Sequence, residues 1–210
     1  MRFIQSIGAI ALVTAGIGFS HSKLLTWMGV TCPLGKSLSA DAVEASRLRG
    51  MAAIKGRELA AVRPALGLKL DTSTELDALE WGKLLKLKCE VLIRGGRFLK
   101  CRDSQTQGVF TLAFNPSGKL VAIDVFRRKI SVKSIGPLLD DLADGLRHQL
   151  GDPHVSEGSL TKTYLMPPET PQVMKTAYVQ YHYSNYVAQL TASYLPWSGL
   201  TVHEQYSSTY

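Results

Sequence analysis

The stretch Val173–Tyr194, VMKTAYVQYHYSNYVAQLTASY, decides how this chain folds. Apolar and polar residues alternate on both sides of Ser184-Asn185, which is what two antiparallel strands with one buried face require. With Ser184-Asn185 at the turn, Ala177, Val179, Tyr181 and Tyr183 share a face with Tyr186, Ala188, Leu190 and Ala192. The opposite face carries Thr176, Tyr178, Gln180 and His182 beside Val187, Gln189, Thr191 and Ser193. A last strand, Leu200–Tyr206, closes the meander.

A helix precedes this hairpin. Ile135, Leu138, Leu139, Leu142, Leu146 and Leu150 recur at three- and four-residue spacing and form one apolar stripe. Pro137 suits its first turn, and Gly151 with Pro153 stops it. Asp140, Asp141 and Asp144 sit early and Arg147 and His148 late, matching the helix dipole. Leu160–Met166 and a loop with Pro167, Pro168 and Pro171 lead into the hairpin.

Residues 68–130 repeat that order. Thr72-Ser73-Thr74-Glu75 has capping-box spacing, with Thr72 at the cap and Glu75 reaching back. Leu76, Leu79, Trp81 and Leu84 mark a short buried stripe. Val109–Phe114 and Lys119–Phe126 then flank the turn Asn115-Pro116-Ser117-Gly118, pairing Phe114 with Leu120 and Leu112 with Ala122. The fold class is therefore α+β: an N-terminal hydrophobic helix, then two tandem helix-plus-antiparallel-meander units at 68–130 and 131–210.

Within the first unit, Cys89 and Cys101 flank a hairpin around Arg94-Gly95-Gly96. A three-residue loop with Gly96 left-handed sets Ile93 opposite Arg97 and Cys89 opposite Cys101, close enough for a disulfide. A two-residue Gly-Gly loop would shift the register and put the thiols on opposite faces. The first register is adopted, with Cys32 free.

Residues 1–30 carry a targeting pattern. Arg2 precedes Phe3–Ser22, a run without a charged residue. Seventeen helical residues span about 25 Å, short of a bilayer core unless Leu24, Leu25, Trp27 and Met28 extend them. A retained signal anchor, a signal cleaved after Gly18-Phe19-Ser20, and lipidation at Cys32 all export the remainder. The expected location is the inner membrane, with the folded domain in the periplasm. Residues 31–67 read as a linker with a short helix capped by Ser39 and ended by Arg63-Pro64, a loosely docked spacer.

The net charge of +7 is concentrated. Lys83, Lys86, Lys88, Arg94, Arg97, Lys100 and Arg102 fall in one helix–hairpin stretch, opposed only by Glu90. Arg127, Arg128, Lys129 and Lys133 form a second cluster. A solvated face, or one meeting anionic lipid or polysaccharide, fits an exported protein. No nucleic-acid partner is expected, because no aromatic interleaving of a nucleic-acid module accompanies the cations.

Catalytic patterns are missing. His203-Glu204 lacks a second histidine at metalloprotease spacing, no Cys/His spacing resembles a zinc site, and no nucleophile elbow, phosphate loop or dinucleotide fingerprint occurs. Neither cofactor nor metal nor catalytic residue is expected. The candidate interaction face is the polar side of the hairpin: Tyr178, Gln180, His182, Gln189 and Thr191.

The capped helix ending Leu150-Gly151-Asp152-Pro153, followed by a meander, resembles small envelope domains of the SmpA/OmlA type and the β-lactamase-inhibitor-like folds with two tandem copies. The resemblance spans Leu68–Tyr206 and transfers no site residue. It implies a binding or assembly role in the cell envelope. The expected function is a non-enzymatic, exported accessory subunit of an envelope or membrane-bound complex. The alternative is a periplasmic module that binds an anionic ligand through its basic stretch.

Overall fold

The computed structural model describes residues 39–93, 97–106, 108–167 and 173–210. The expected signal or anchor at 1–30, Cys32 and the Arg94-Gly95-Gly96 loop lie outside them. The described helices are α1 (Ala40–Ile54), α2 (Glu75–Leu84), α3 (Ile135–Leu150) and the single turn α4 (Lys162–Leu165). The strands are β1 (Lys88–Ile93), β2 (Arg97–Arg102), β3 (Val109–Phe114), β4 (Leu120–Ile130), β5 (Val155–Glu157), β6 (Lys175–His182), β7 (Tyr186–Leu195) and β8 (Gly199–Ser208). All eight form one antiparallel sheet in the order β1-β2-β3-β4-β8-β7-β6-β5. The protein is α+β, as the alternation and the 3.6-residue periodicity require.

Register assigns every side chain to one of two faces, because residues paired across antiparallel strands point the same way. On one face the row Leu99, Leu112, Ile123, Tyr206, Ala188 and Tyr181 crosses six strands, and each member is buried. Ile135, Leu139, Leu146 and Leu150 of α3 and Ala78 and Trp81 of α2 join it in one core. The stripe expected on α3 is thus the buried stripe, although its aspartates begin only in the second turn. Both faces expected for the Val173–Tyr194 hairpin are present, with β6 and β7 in the register that Ser184-Asn185 implies. Leu160–Met166 contains the one-turn α4, and the three-residue edge strand β5, too short for a sequence signal, precedes it.

Three local expectations need correction. The cap of α2 is Thr74, not Thr72, and its box partner is Asp77 rather than Glu75. Thr74 Oγ1 accepts from the Asp77 N–H, while the Asp77 carboxylate accepts from the Thr74 N–H at 2.7 Å and from its hydroxyl at 2.9 Å, and these last two bonds hold its pKa below the usual range. Moving the start moves the buried stripe. Leu76 and Leu84 are 64% and 83% exposed; Trp81 is buried as expected and Leu79 packs against the core, and Ala78 and Gly82 take the remaining core positions. Finally, Phe114 pairs with Leu120, but a bulge beside it places Leu112 opposite Ile123 rather than Ala122.

The β1–β2 hairpin keeps its expected register, with Ile93 opposite Arg97 and Cys89 opposite Cys101. Cys89 and Cys101 are bonded as a disulfide. Gly82 of α2 rests on it: a Cβ there would lie 2.6 Å from the Cys89 Sγ. Trp81 meets Phe110 edge-on at 5.7 Å and donates its indole N–H to the Leu66 carbonyl at 2.8 Å.

The chain before α2 is not a loose spacer. Arg47 of α1 is 3% exposed and donates to the carbonyls of Ser208, at 2.6 Å, and Tyr210. The following segment is stitched to the β6–β7 turn. Gly56 N–H donates to the Tyr183 carbonyl, Ser184 N–H to that of Glu58, and Ala60 N–H to the Asn185 side chain. Tyr186 Oη donates to the Pro64 carbonyl at 2.7 Å, and Ala60, Ala65, Leu68 and Leu70 enter the core. A linker of small apolar residues can dock this way because backbone groups, not large side chains, make the attachment. At Gly56 the approach is tightest, since a Cβ would sit 1.9 Å from the His182 carbonyl oxygen. Gly56→Ala is expected to push the strap off the turn and cost about 1–3 kcal/mol, the range for overpacking. Urea denaturation measures the loss, and unchanged stability would show that the strap is not held there.

Candidate functional site

The face opposite α2 and α3 gathers the polar side chains of the sheet. The row Glu90, Lys100, Thr111, Asp124, Gln205, Gln189 and Gln180 crosses seven strands without an apolar residue. Beside it runs Lys88, Arg102, Val109, Phe126, His203, Thr191, Tyr178 and Glu157. Two-residue periodicity produces this ladder automatically once the other face is core. Polar residues occupy this one row from β1 to β6, with Val155 of β5 at its end, while the row on its other side, Leu92, Phe98, Ala113, Ala122, Ser207, Val187 and His182, is largely apolar.

The expected interaction residues come together here. Gln180 donates to Gln189 at 2.9 Å, and Gln189 donates to Thr191 at 2.8 Å. Tyr178 Oη donates to the Glu157 carboxylate at 2.6 Å, which, more than burial, raises the phenol pKa above its ordinary value. His182 stands at the end of the patch with its ring stacked against His154 at 6.4 Å. Burial first, and the neighbouring imidazole second, pull its pKa below the usual histidine value. All five are half-buried, so their heads are fixed yet reachable.

At the centre of the face is a constellation the sequence analysis passed over. Asp124 is 6% exposed and accepts from His203 Nε2 at 2.6 Å and from Gln205 at 3.3 Å. Hydrogen bonds to a charged group contribute about 1.5–3 kcal/mol each, which offsets burial of the carboxylate. His203 also meets Phe126 edge-on at 5.5 Å, and the Arg128 guanidinium lies 4.7 Å above the Phe126 ring. One signal was available: Asp124 is the lone charge within Leu120-Val121-Ala122-Ile123-Asp124-Val125-Phe126. Its partners come from β8, seventy-nine residues or more away, and only pairing brings them in.

The seven-residue basic stretch is divided by the sheet. Lys88, Lys100 and Arg102 lie on this polar face near the β1 edge, with Arg102 3.5 Å from Glu90. Arg97 points to the other face and pairs with Glu75 of α2, while Lys83 and Lys86 are exposed on α2 and just beyond it. Arg94 lies outside the described residues.

No protein-family model and no curated protein matches the chain. Among solved structures, a DUF4309 family protein (YjgB) from Bacillus subtilis is similar at 14% identity and a TM-score of 0.37, over 81% of this chain and 97% of that one. The resemblance to SmpA/OmlA-type domains finds no support in these comparisons. Among the described residues no helix is long and apolar enough to cross a membrane.

Proposed function

We propose that this chain is a non-enzymatic, exported accessory subunit that docks an acidic segment of a membrane-bound envelope protein on its polar sheet face. The observation that carries the reading is the unbroken polar row from Glu90 to Gln180, with its side chains pre-positioned by one another. Fixed polar heads lose little entropy on binding, which favours recognition over solvation alone. Lys100, Arg102 and Arg128 give the face the charge that an acidic partner complements. Arg2 ahead of an uncharged run supports an N-terminal signal or anchor with the domain in the periplasm, and a disulfide suits that oxidising compartment. A duplication origin draws support from the strand order: helix-plus-four-strand runs meet at their last strands, β4 and β8, as a palindrome.

Affinity purification of the full chain from gently solubilised membranes, with partners identified by mass spectrometry, tests this. Wild type is expected to retain a membrane protein that Gln189→Glu with Thr191→Glu, which set like charge against the acidic segment, loses. Recovery of the wild type alone, or equal retention by the double variant, would overturn the reading. A second reading, binding of anionic lipid or polysaccharide, draws on Lys88, Lys100 and Arg102 sharing one edge of the face. It requires binding that falls steeply between about 50 and 200 mM salt, where screening lengths shorten.

A further inference from the structure

Strand register gathers Lys175, Tyr194, Leu200 and Ile130 into one row at an end of the sheet, across β6, β7, β8 and β4. The chain continues past this row as Val173-Met174 before β6, the Leu195–Gly199 turn between β7 and β8, and Ser131-Val132-Lys133 after β4. Each of the three segments holds a large apolar side chain in solvent: Val173, Met174, Val132 and, at 77% exposure, Trp197. Scattered exposed hydrophobic residues need no explanation. Here four share one end of the sheet, within three strand spacings or about 15 Å.

The backbone beneath Trp197 is fixed. Pro196 sets φ before it, Ser198 N–H donates to the Leu195 carbonyl at 3.1 Å, and Gly199 closes the hairpin in the left-handed conformation. An aromatic ring on such a turn meets a partner with little ordering of the chain. Charge indicates which partner. The same segments carry Arg128, Lys129, Lys133 and Lys175 and no acidic residue. Arg127 is turned to the helix-covered face, where it pairs with Glu204. The β2–β3 loop and β5, on either side, hold one acid each, and both are engaged. Asp103 accepts from the Gln105 N–H and the Thr106 hydroxyl, and Glu157 accepts from Tyr178.

We infer that this end of the sheet seats on a bilayer surface that carries anionic lipid. Trp197 enters the headgroup layer, where an indole can bury its ring and keep its N–H wet. Val132, Val173 and Met174 rest at the acyl boundary, and the four cations meet lipid phosphates. Apolar tips ringed by cations at the end of a rigid sheet suit a soft, planar, negatively charged surface. These residues are distinct from Lys88, Lys100 and Arg102, and the inference stands whether or not a partner docks on the polar face.

Tryptophan quenching by brominated lipid locates the tip. Of the three tryptophans, Trp81 is buried, so the full chain carrying Trp27→Phe is used, and the emission of the same chain with Trp197→Phe is subtracted. The remaining signal belongs to Trp197, so insertion of any other segment does not imitate the result. In vesicles of brominated phosphatidylcholine with phosphatidylglycerol, the ratio of quenched to unquenched Trp197 is expected to be at least about tenfold higher than in phosphatidylcholine alone. Lys129→Asn with Lys133→Gln should lower that ratio about twenty-five-fold, about fivefold per cation, with an unchanged circular dichroism spectrum. Both lysines are exposed, and asparagine tolerates the left-handed backbone at position 129. Equal quenching in the two vesicle types, or undiminished quenching of the double variant, overturns the anionic-lipid assignment. No quenching in anionic vesicles overturns the site; if Trp197→Ser then releases a membrane protein in the affinity purification, the tip is a protein contact instead.

Discussion

Arg127→Leu is expected to cost about 3–5 kcal/mol in urea denaturation, the largest single effect in this molecule. The substitution does not merely remove an attraction. It leaves the Glu204 carboxylate, 1% exposed among Val125, Leu190 and Val202, with Tyr206 as its only remaining hydrogen-bond donor of the two. Tyr206 is itself buried, which raises its phenol pKa and keeps it a neutral donor unable to balance a charge. Adding Glu204→Leu to the same chain should restore most of the loss, because a neutral, space-filling pair imposes no desolvation cost. The double-mutant cycle then reads a coupling of several kcal/mol. A single-variant loss below about 1 kcal/mol would mean that water reaches Glu204 and the pair is effectively a surface one.

Removing the disulfide is the second large effect. Cys89→Ala with Cys101→Ala opens a loop of sequence separation 12, worth about 3 kcal/mol in the chain-entropy model. The loss should exceed that of a free-standing hairpin clip, since Gly82 of α2 packs directly on the sulfurs and a gap would open beneath it. Guanidinium titrations with and without reductant should show the wild type losing about 3 kcal/mol on reduction and the double variant losing nothing. Reduction without effect on the wild type would remove the staple from any account of stability.

Much of the fold was legible. Strict alternation around Ser184-Asn185 determined β6, β7 and their faces, and the leucine spacing of Ile135–Leu150 determined α3 and its stripe. Both are local, high-contrast patterns in which period alone says which side is buried. The spacing around Arg94-Gly95-Gly96 admitted two registers, since a hairpin's loop length sets its register, and the structure holds the one that the sequence reading adopted, with Cys89 opposite Cys101. The α2 cap was missed by two residues because Thr72 and Thr74 both offer hydroxyls, and only Trp81 on Phe110 and Gly82 on the disulfide select between them. The docked strap, the Asp124–His203 bond and the Glu204–Arg127 pair depended on tertiary structure entirely. The last two join residues whose relation is set by β4 pairing with β8, a contact between chain segments some eighty residues apart, and the strap meets the β6–β7 turn from more than 120 residues away. Sequence period decides which face a side chain occupies; only strand order across the sheet decides which side chains share it.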